Sequence, residues 1–565
     1  MVEFGTGELK MNSGSAEAWL VQAQTLVPVA LIKAKEVKCF PSRWRMIISK
    51  LEQIPSKLSD LSSHPFFSKN SLCKEQLQAV VKTVNDVIIS SELCVGERYE
   101  GKLQMQSDLD SLIGKLDLNL RDCGLLIKTG MLGEATLPLT EASSSSDSDS
   151  SMNCNIRELL ARLQIGHLES KNRALDRLVE LLYENEKSIL AVLGRSNIAA
   201  MVQLLTATSP HIREKAILII SSVVESGSHE NWLLSEGVSV PLIRLLESGS
   251  AVGREKALIS LQNLSVVADT AREIVGHGGV RPLVEICRTN DSVSQAVSAS
   301  TLKNLSAVPE LRQVLVEEGI VRVMMNLLEF GILLGAKEHA AECLQNLTSN
   351  NDNLKSQVIA EGGFGILLAY IDCPSPQEPA VSALKNMVDS VSMESLVSQG
   401  FLSRIAHVLK SGSLGAKQAA ASAISQAAST SPEMKKLVAE AGIFPLLVNL
   451  LEVKPHGTRE AAAQAISILI TDQRNSHEFK KIPKCVPNLV HLLDPMPQNT
   501  GKKYAVSSLI VLSSSKECRR QMMAYGAIGY LKKLTEMDIP GSKKLLEVLE
   551  RGNIRTLFRS YSMRF

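Results

Sequence analysis

The sequence predicts an all-α protein, a helical bundle followed by a solenoid of helical repeats. Three observations carry that reading. First, paired apolar residues recur at Leu204-Leu205, Leu245-Leu246, Leu327-Leu328, Leu450-Leu451 and Leu492-Leu493. Second, a start point, usually Gly, sits ahead of each pair. The start points are Ser196, Gly237, Gly278, Gly319, Gly362, Gly400, Gly442, Lys484 and Gly526, almost evenly spaced. A fixed period in the low forties with helical patterning means a stack of helical repeats. Third, apolar residues make up 45% of the chain and aromatics only 4%. The core is therefore aliphatic, with Ala allowing helices to approach closely.

The N-terminal region opens with residues 1–16, small and polar. Helical spacing follows over 18–37 (Leu20, Val27, Leu31), then over 44–61, where Pro55 should kink or split the helix. A third segment, 71–93, starts at a cap on Asn70 or Ser71. A fourth, 98–126, carries Leu103, Leu109, Leu112, Leu116 and Leu120. Four such helices with short links suggest an antiparallel bundle, assigned to 1–138.

Residues 141–151 read EASSSSDSDSS. Nothing there larger than Ala is apolar, so 139–154 is expected to be a solvated linker. Ser144 and Ser146 each precede Asp by three residues, the pattern of an acidophilic kinase site. Phosphate there would tune linker extension more than fold.

The repeats are assigned to 155–536, eight to nine units. In each, a short helix precedes the start point, a second carries the apolar pair, and a third ends in a pattern such as AlaLeuIleSerLeuGlnAsnLeuSer (257–265). Gly at the first junction permits a sharp turn. One position of the third helix stands out, at a near-constant distance after each start point: Ser222, Asn263, Asn304, Asn346, Asn386, Gln426, Ile468 and Ile510. Asn is a mediocre helix former, so propensity does not explain four in succession. A carboxamide both donates and accepts, so the row could pair with the N–H and C=O of an extended partner backbone. It could instead hold neighbouring repeats together, and one residue can do both. The row ends at Ile468 and Ile510, so a groove should lie over the second to sixth repeats.

These units resemble the armadillo-repeat family. GVSVPLIRLLESGSAVGREKALISLQNLS and GIFPLLVNLLEVKPHGTREAAAQAIS follow its three-helix layout, and the likeness runs over 155–536. The resemblance implies a right-handed superhelix that binds an extended protein segment along its third helices. Asn263, Asn304, Asn346 and Asn386 then match the groove asparagines, with Gln426 and Ser222 extending the row. The family's nuclear-import adaptors carry Trp four residues before that Asn; here Ile259, Ser300, Glu342 and Ser382 stand there, which argues against import cargo. RWRMIISKLEQIPSKLSDLSSHPFF and CKEQLQAVVKTV are similar to the helical domain that precedes armadillo repeats in plant U-box ubiquitin ligases. The U-box module itself has no counterpart here, so the chain resembles a U-box-less branch of plant armadillo proteins. A substrate adaptor or regulator working with such ligases is the alternative function that the likeness implies.

Catalytic patterns do not survive inspection. GlyHisGlyGly (276–279) and GlyGlyPheGly (362–365) fall at repeat start points and follow no strand. The string from Gly331 to Lys337 lacks the spacing of a phosphate loop. The ten His include no HExxH; His339, beside Glu338 and Glu342, is the one with company. The ten Cys form no CxxC and read as reduced, mostly buried thiols. A net charge of +2 gives no general attraction for nucleic acid. Neither an enzyme, a cofactor, a metal nor a small-molecule substrate is expected. Positions 1–18 lack a signal-peptide core, and the apolar stretch 19–32 is too short to span a bilayer. A cytoplasmic location follows, with the nucleus as second compartment.

The tail, 537–565, is basic and helical in pattern. Lys543, Lys544, Arg551, Arg555 and Arg559 could touch an anionic surface, giving a peripheral membrane tether as a third function. Its net positive charge contributes roughly 4 kcal/mol, which is only weak binding. The competing role is a cap whose Leu face covers the last repeat.

Overall fold

The computed structural model describes residues 15–551, apart from 65–66, 100, 129–146, 166–167, 290 and 374–376. The chain divides into two compact units, residues 1–260 and 261–565.

The first unit begins with helices Ala16–Glu36, Pro41–Leu51, Ile54–Ser62, Ser71–Val95 and Lys102–Lys128. Pro55 lies in the first turn of Ile54–Ser62, where its missing N–H costs nothing. It therefore separates two helices rather than kinking one. Asn70 caps Ser71–Val95, accepting from the Cys73 N–H at 3.0 Å. Trp44, Ile47, Leu51, Leu58, Leu77, Leu109 and Leu116 meet in the core. One polar chain crosses it: the Gln76 amide donates to Asn119 Oδ1 at 3.4 Å, and Asn119 Nδ2 donates to Thr83 Oγ1 at 2.9 Å. A satisfied buried pair of this kind fixes the register of two long helices.

The expected linker 139–154 is corrected at its C-terminal end. Helix Asp147–Gln164 starts inside it. An Asp/Ser-rich stretch need not pack to be helical, because those residue types suit a helix N-terminus. The helix is anchored further on by Ile156, Leu160 and Leu163, all buried. Ser144 and Ser146 lie outside the described residues.

Repeats follow in both units. Gly237, Gly278, Gly319, Gly362, Gly400, Gly442 and Gly526 all have φ between 68° and 88°. This left-handed conformation explains why Gly marks the start points. Lys484 takes the same conformation at φ 62°. Ser196 does not: it lies within helix Arg195–Leu204, which begins after extended Gly194.

In the second unit the third helices are Ser292–Ala307, Leu334–Thr348, Glu378–Met387, Leu414–Thr430, His456–Leu469 and Lys502–Leu512, each packed on the next. Small residues make that approach close. Leu414–Thr430 buries Ala416, Ala420, Ala421, Ala423, Ala427 and Ala428. A further helix, 542–551, buries Leu545 and Leu549. Among the described residues no helix is long and apolar enough to cross a membrane.

Candidate functional site

Within the second unit, Asn263, Asn304, Asn346 and Asn386 are half-buried and Gln426 is exposed. They occupy equivalent third-helix positions, as their spacing requires. Three of the asparagines share one bonding pattern. Asn304 Nδ2 donates to Gln262 O at 3.3 Å and to Ser265 Oγ at 2.9 Å. Asn346 Nδ2 donates to Lys303 O at 3.4 Å and to Ser306 Oγ at 3.0 Å. Asn386 Nδ2 donates to Gln345 O at 3.2 Å and to Thr348 Oγ1 at 3.3 Å. Each amide thus reaches into the third helix of the repeat before it.

The hydroxyls fix the direction of these bonds. Ser265 Oγ already donates to Gln262 O at 2.7 Å, Ser306 Oγ to Lys303 O at 2.7 Å, and Thr348 Oγ1 to Leu344 O at 2.8 Å. A hydroxyl has one proton, so its remaining capacity is as acceptor. Each Asn therefore faces two acceptors, and only its NH₂ end fits there. Ser265, Ser306 and Thr348 are buried, at 1%, 0% and 0% exposure, so no water competes for the bond. The sequence reading missed these three residues. Their signal was the recurrence of Asn-Leu-Ser or Asn-Leu-Thr at 263–265, 304–306 and 346–348.

The pattern changes where the hydroxyl disappears. Val388 stands two residues after Asn386, and Gln426 reaches past it to Asp389 Oδ2 at 3.3 Å. Ala428 follows Gln426, and the next row position is Ile468, half-buried. Loss of the hydroxyl thus accompanies the end of the row. Ser222 lies in the first unit, where its hydroxyl bonds the Glu186 carboxylate.

Charged groups flank the row. Lys303 Nζ pairs with Glu342 Oε2 at 3.5 Å, and His339 Nδ1 lies 3.8 Å from the same oxygen. Burial first, and the Lys303 charge second, push the His339 imidazole below its usual value, against Glu342 and Glu338, which raise it. The ring is thereby biased to neutrality. Burial pushes the Cys287 and Cys343 thiols up to about 12, which holds these two protonated. The nine cysteines among the described residues are free. No group of side chains among the described residues could hold a metal ion.

In the tail, Lys543, Lys544 and Arg551 are exposed, opposite buried Leu545 and Leu549. Arg555 and Arg559 lie outside the described residues.

Residues 431–471 match the armadillo/beta-catenin-like repeat model. Residues 21–131 match a model described as a domain of unknown function, DUF7032. The crystal structure of an engineered protein superposes with TM-score 0.62 at 22% identity, over 70% of this chain and 98% of that one. A designed armadillo repeat protein in complex with the peptide (KR)4 aligns at TM-score 0.38 and 22% identity, over 40% of this chain and 98% of that one. Among curated proteins nothing matches. The chain carries an all-α solenoid of helical repeats after a helical N-terminal region, and one of its units, 431–471, matches the armadillo repeat model.

Proposed function

We propose that this protein is a non-enzymatic scaffold whose third-helix row holds an extended segment of a partner protein. The observation that carries the reading is the row itself. Asn304, Asn346 and Asn386 are held in one orientation by the repeat before, and among the described residues no donor reaches their Oδ1 atoms. A half-buried acceptor without a protein partner, repeated once per helix, suits a polar main chain laid across the helices. Adjacent packed helices lie about 8–10 Å apart. An extended segment rises about 3.3 Å per residue, so roughly every third residue would meet a carboxamide. The partner is to be sought in the cytoplasm and nucleus, where free thiols persist.

Two finer roles rest on the same scaffold. A regulator of U-box ubiquitin ligases would use this row, with a ligase segment as the partner. A membrane tether would need the Leu face of helix 542–551, and Leu545 and Leu549 are already buried.

The test blocks the row without touching its hydrogen bonds. Ser382 and Ser422 lie one turn before Asn386 and Gln426, on the same face and half-buried. Peptides selected from a random display library on the full chain should lose at least about tenfold in affinity for the Ser382→Arg, Ser422→Arg variant. Its thermal unfolding should match the parent. Undiminished binding would place the partner elsewhere.

A further inference from the structure

We infer that Cys39 and Cys94 are a thiol pair that a hydroperoxide converts to a reversible disulfide, locking together the ends of helices Ala16–Glu36 and Ser71–Val95. This site is separate from the third-helix row and independent of the scaffold reading. The two helices pack side by side, and the ion pair of Lys33 with Glu92 joins their C-terminal turns. Cys39 stands three residues beyond the end of Ala16–Glu36, and Cys94 lies in the last turn of Ser71–Val95. The fold thereby brings together two thiols 55 residues apart in the chain: Cys39 Sγ lies 3.7 Å from the Cys94 carbonyl oxygen. The Cys94 thiol is near enough to hydrogen-bond the Cys39 sulfur. Burial first, then that hydrogen bond and the charge of Cys39, push the Cys94 thiol up to about 12, so Cys94 keeps its proton while Cys39 reacts.

Access separates this pair from its neighbours. Cys39 is half-buried, whereas Cys73 and Cys123, which also lie near each other, are both buried. Phe40, beside Cys39, meets Tyr99 edge-on at 5.8 Å, which fixes the junction that carries the thiol. Trp44 is buried, and its indole N–H has no hydrogen-bond partner. That N–H lies beside the Cys94 sulfur and eases its ionisation. A buried donor left unpaired is costly, and a thiolate on Cys94 would satisfy it. Cys94 takes that form as a disulfide forms and again as it is cleaved. In the first step the Cys39 thiolate attacks one oxygen of hydrogen peroxide. The O–O bond breaks, and the departing oxygen leaves as water, giving a sulfenic acid. The Cys94 sulfur then attacks the Cys39 sulfur. The S–S bond forms, the S–O bond breaks, and the released hydroxide takes the Cys94 proton as a second water. Two electrons pass from the sulfurs to the peroxide. A dithiol reverses the bond by exchange. In a reducing compartment such disulfides are transient and serve redox sensing.

The experiment treats the folded full chain with excess hydrogen peroxide, removes the peroxide with catalase, then unfolds and alkylates the protein. Two of the ten thiols should be lost and should return after dithiothreitol. Peptide mapping should join Cys39 to Cys94. Cys94→Ser should leave Cys39 as a sulfenic acid that dimedone traps, and Cys39→Ser should leave Cys94 reduced. The thiol count of the unaltered chain decides the matter even where a variant folds poorly. Hydrogen exchange in the last turn of Ser71–Val95 should slow by at least about tenfold on oxidation. Ten surviving thiols, or a disulfide through any other cysteine, would overturn the pair. A Cys39–Cys94 bond that leaves this exchange unchanged would overturn the lock.

Discussion

The repeats that carry asparagine and the repeats that carry isoleucine solve the same packing problem differently. In Ser292–Ala307, Leu334–Thr348 and Glu378–Met387 the row position is polar and bonded backward into its neighbour. In His456–Leu469 and Lys502–Leu512 it is Ile468 and Ile510, both half-buried. The difference teaches that Asn304, Asn346 and Asn386 work as pairs with a hydroxyl one repeat earlier, whereas Asn263 follows Val224. Where Ser or Thr gives way to Val388, Gln426 turns to Asp389 instead, and after Ala428 the row position is Ile468.

The largest expected effect breaks a lock. Asn346→Asp sets a carboxylate against Lys303 O and Ser306 Oγ, both acceptors. Opening of helix Leu334–Thr348 should become easier by about 2–3 kcal/mol. Native-state hydrogen exchange suits the measurement, since a long array does not unfold as one unit. The isosteric change at the isoleucine end, Ile468→Leu, should cost under about 1.5 kcal/mol.

The junctions sharpen the comparison next. Gly442 has φ 72° and open space where a Cβ would sit, so Gly442→Ala has only a conformational cost, about 1–2 kcal/mol. Lys484 already bears that cost at φ 62°. Lys484→Gly should therefore stabilise its repeat by about 1 kcal/mol, less what is lost with the exposed Lys484–Glu452 pair at 3.2 Å. Destabilisation by Lys484→Gly would contradict the strain argument.

A lock can also be transplanted. Ile468→Asn alone finds no hydroxyl, because Ala428 stands at the pairing position. Adding Ala428→Ser should recover about 0.5–1.5 kcal/mol of what Ile468→Asn loses. Strict additivity would show that more than this pair is needed.

The smallest effect is that of pH. His339 has a lowered folded-state value, so between pH 7 and 5 the unfolded chain binds more protons at this site than the folded one. Its contribution to stability is present above the ordinary value of 6.5 and fades as pH falls below it. His339→Gln should flatten the pH dependence of local opening in Leu334–Thr348. An unchanged slope would assign the titration elsewhere.

The repeats were legible in the sequence because backbone geometry forces a residue choice. A left-handed junction wants Gly, so Gly237 through Gly526 stand out at a fixed period. The asparagine row was legible for the opposite reason, a residue retained where helix propensity argues against it. Its role was only half legible. Which end of a carboxamide faces a partner depends on what lies behind it, and Ser265, Ser306 and Thr348 lie two residues further on in another repeat. Lys484 was placed at its junction by the period alone, because its residue type does not announce the left-handed conformation that it takes. The helix at Asp147 was misread as linker because its anchoring residues, from Ile156 onward, come two turns later.

A double-mutant cycle between Ser306 and Asn346 tests the central claim most directly. Ser306→Ala, Asn346→Ala and the double variant would be compared by hydrogen exchange of the Leu334–Thr348 helix. A coupling of about 0.5–1.5 kcal/mol is expected for one shared hydrogen bond across repeats. Additivity within about 0.3 kcal/mol would contradict the lock, and with it the fixed orientation of the row.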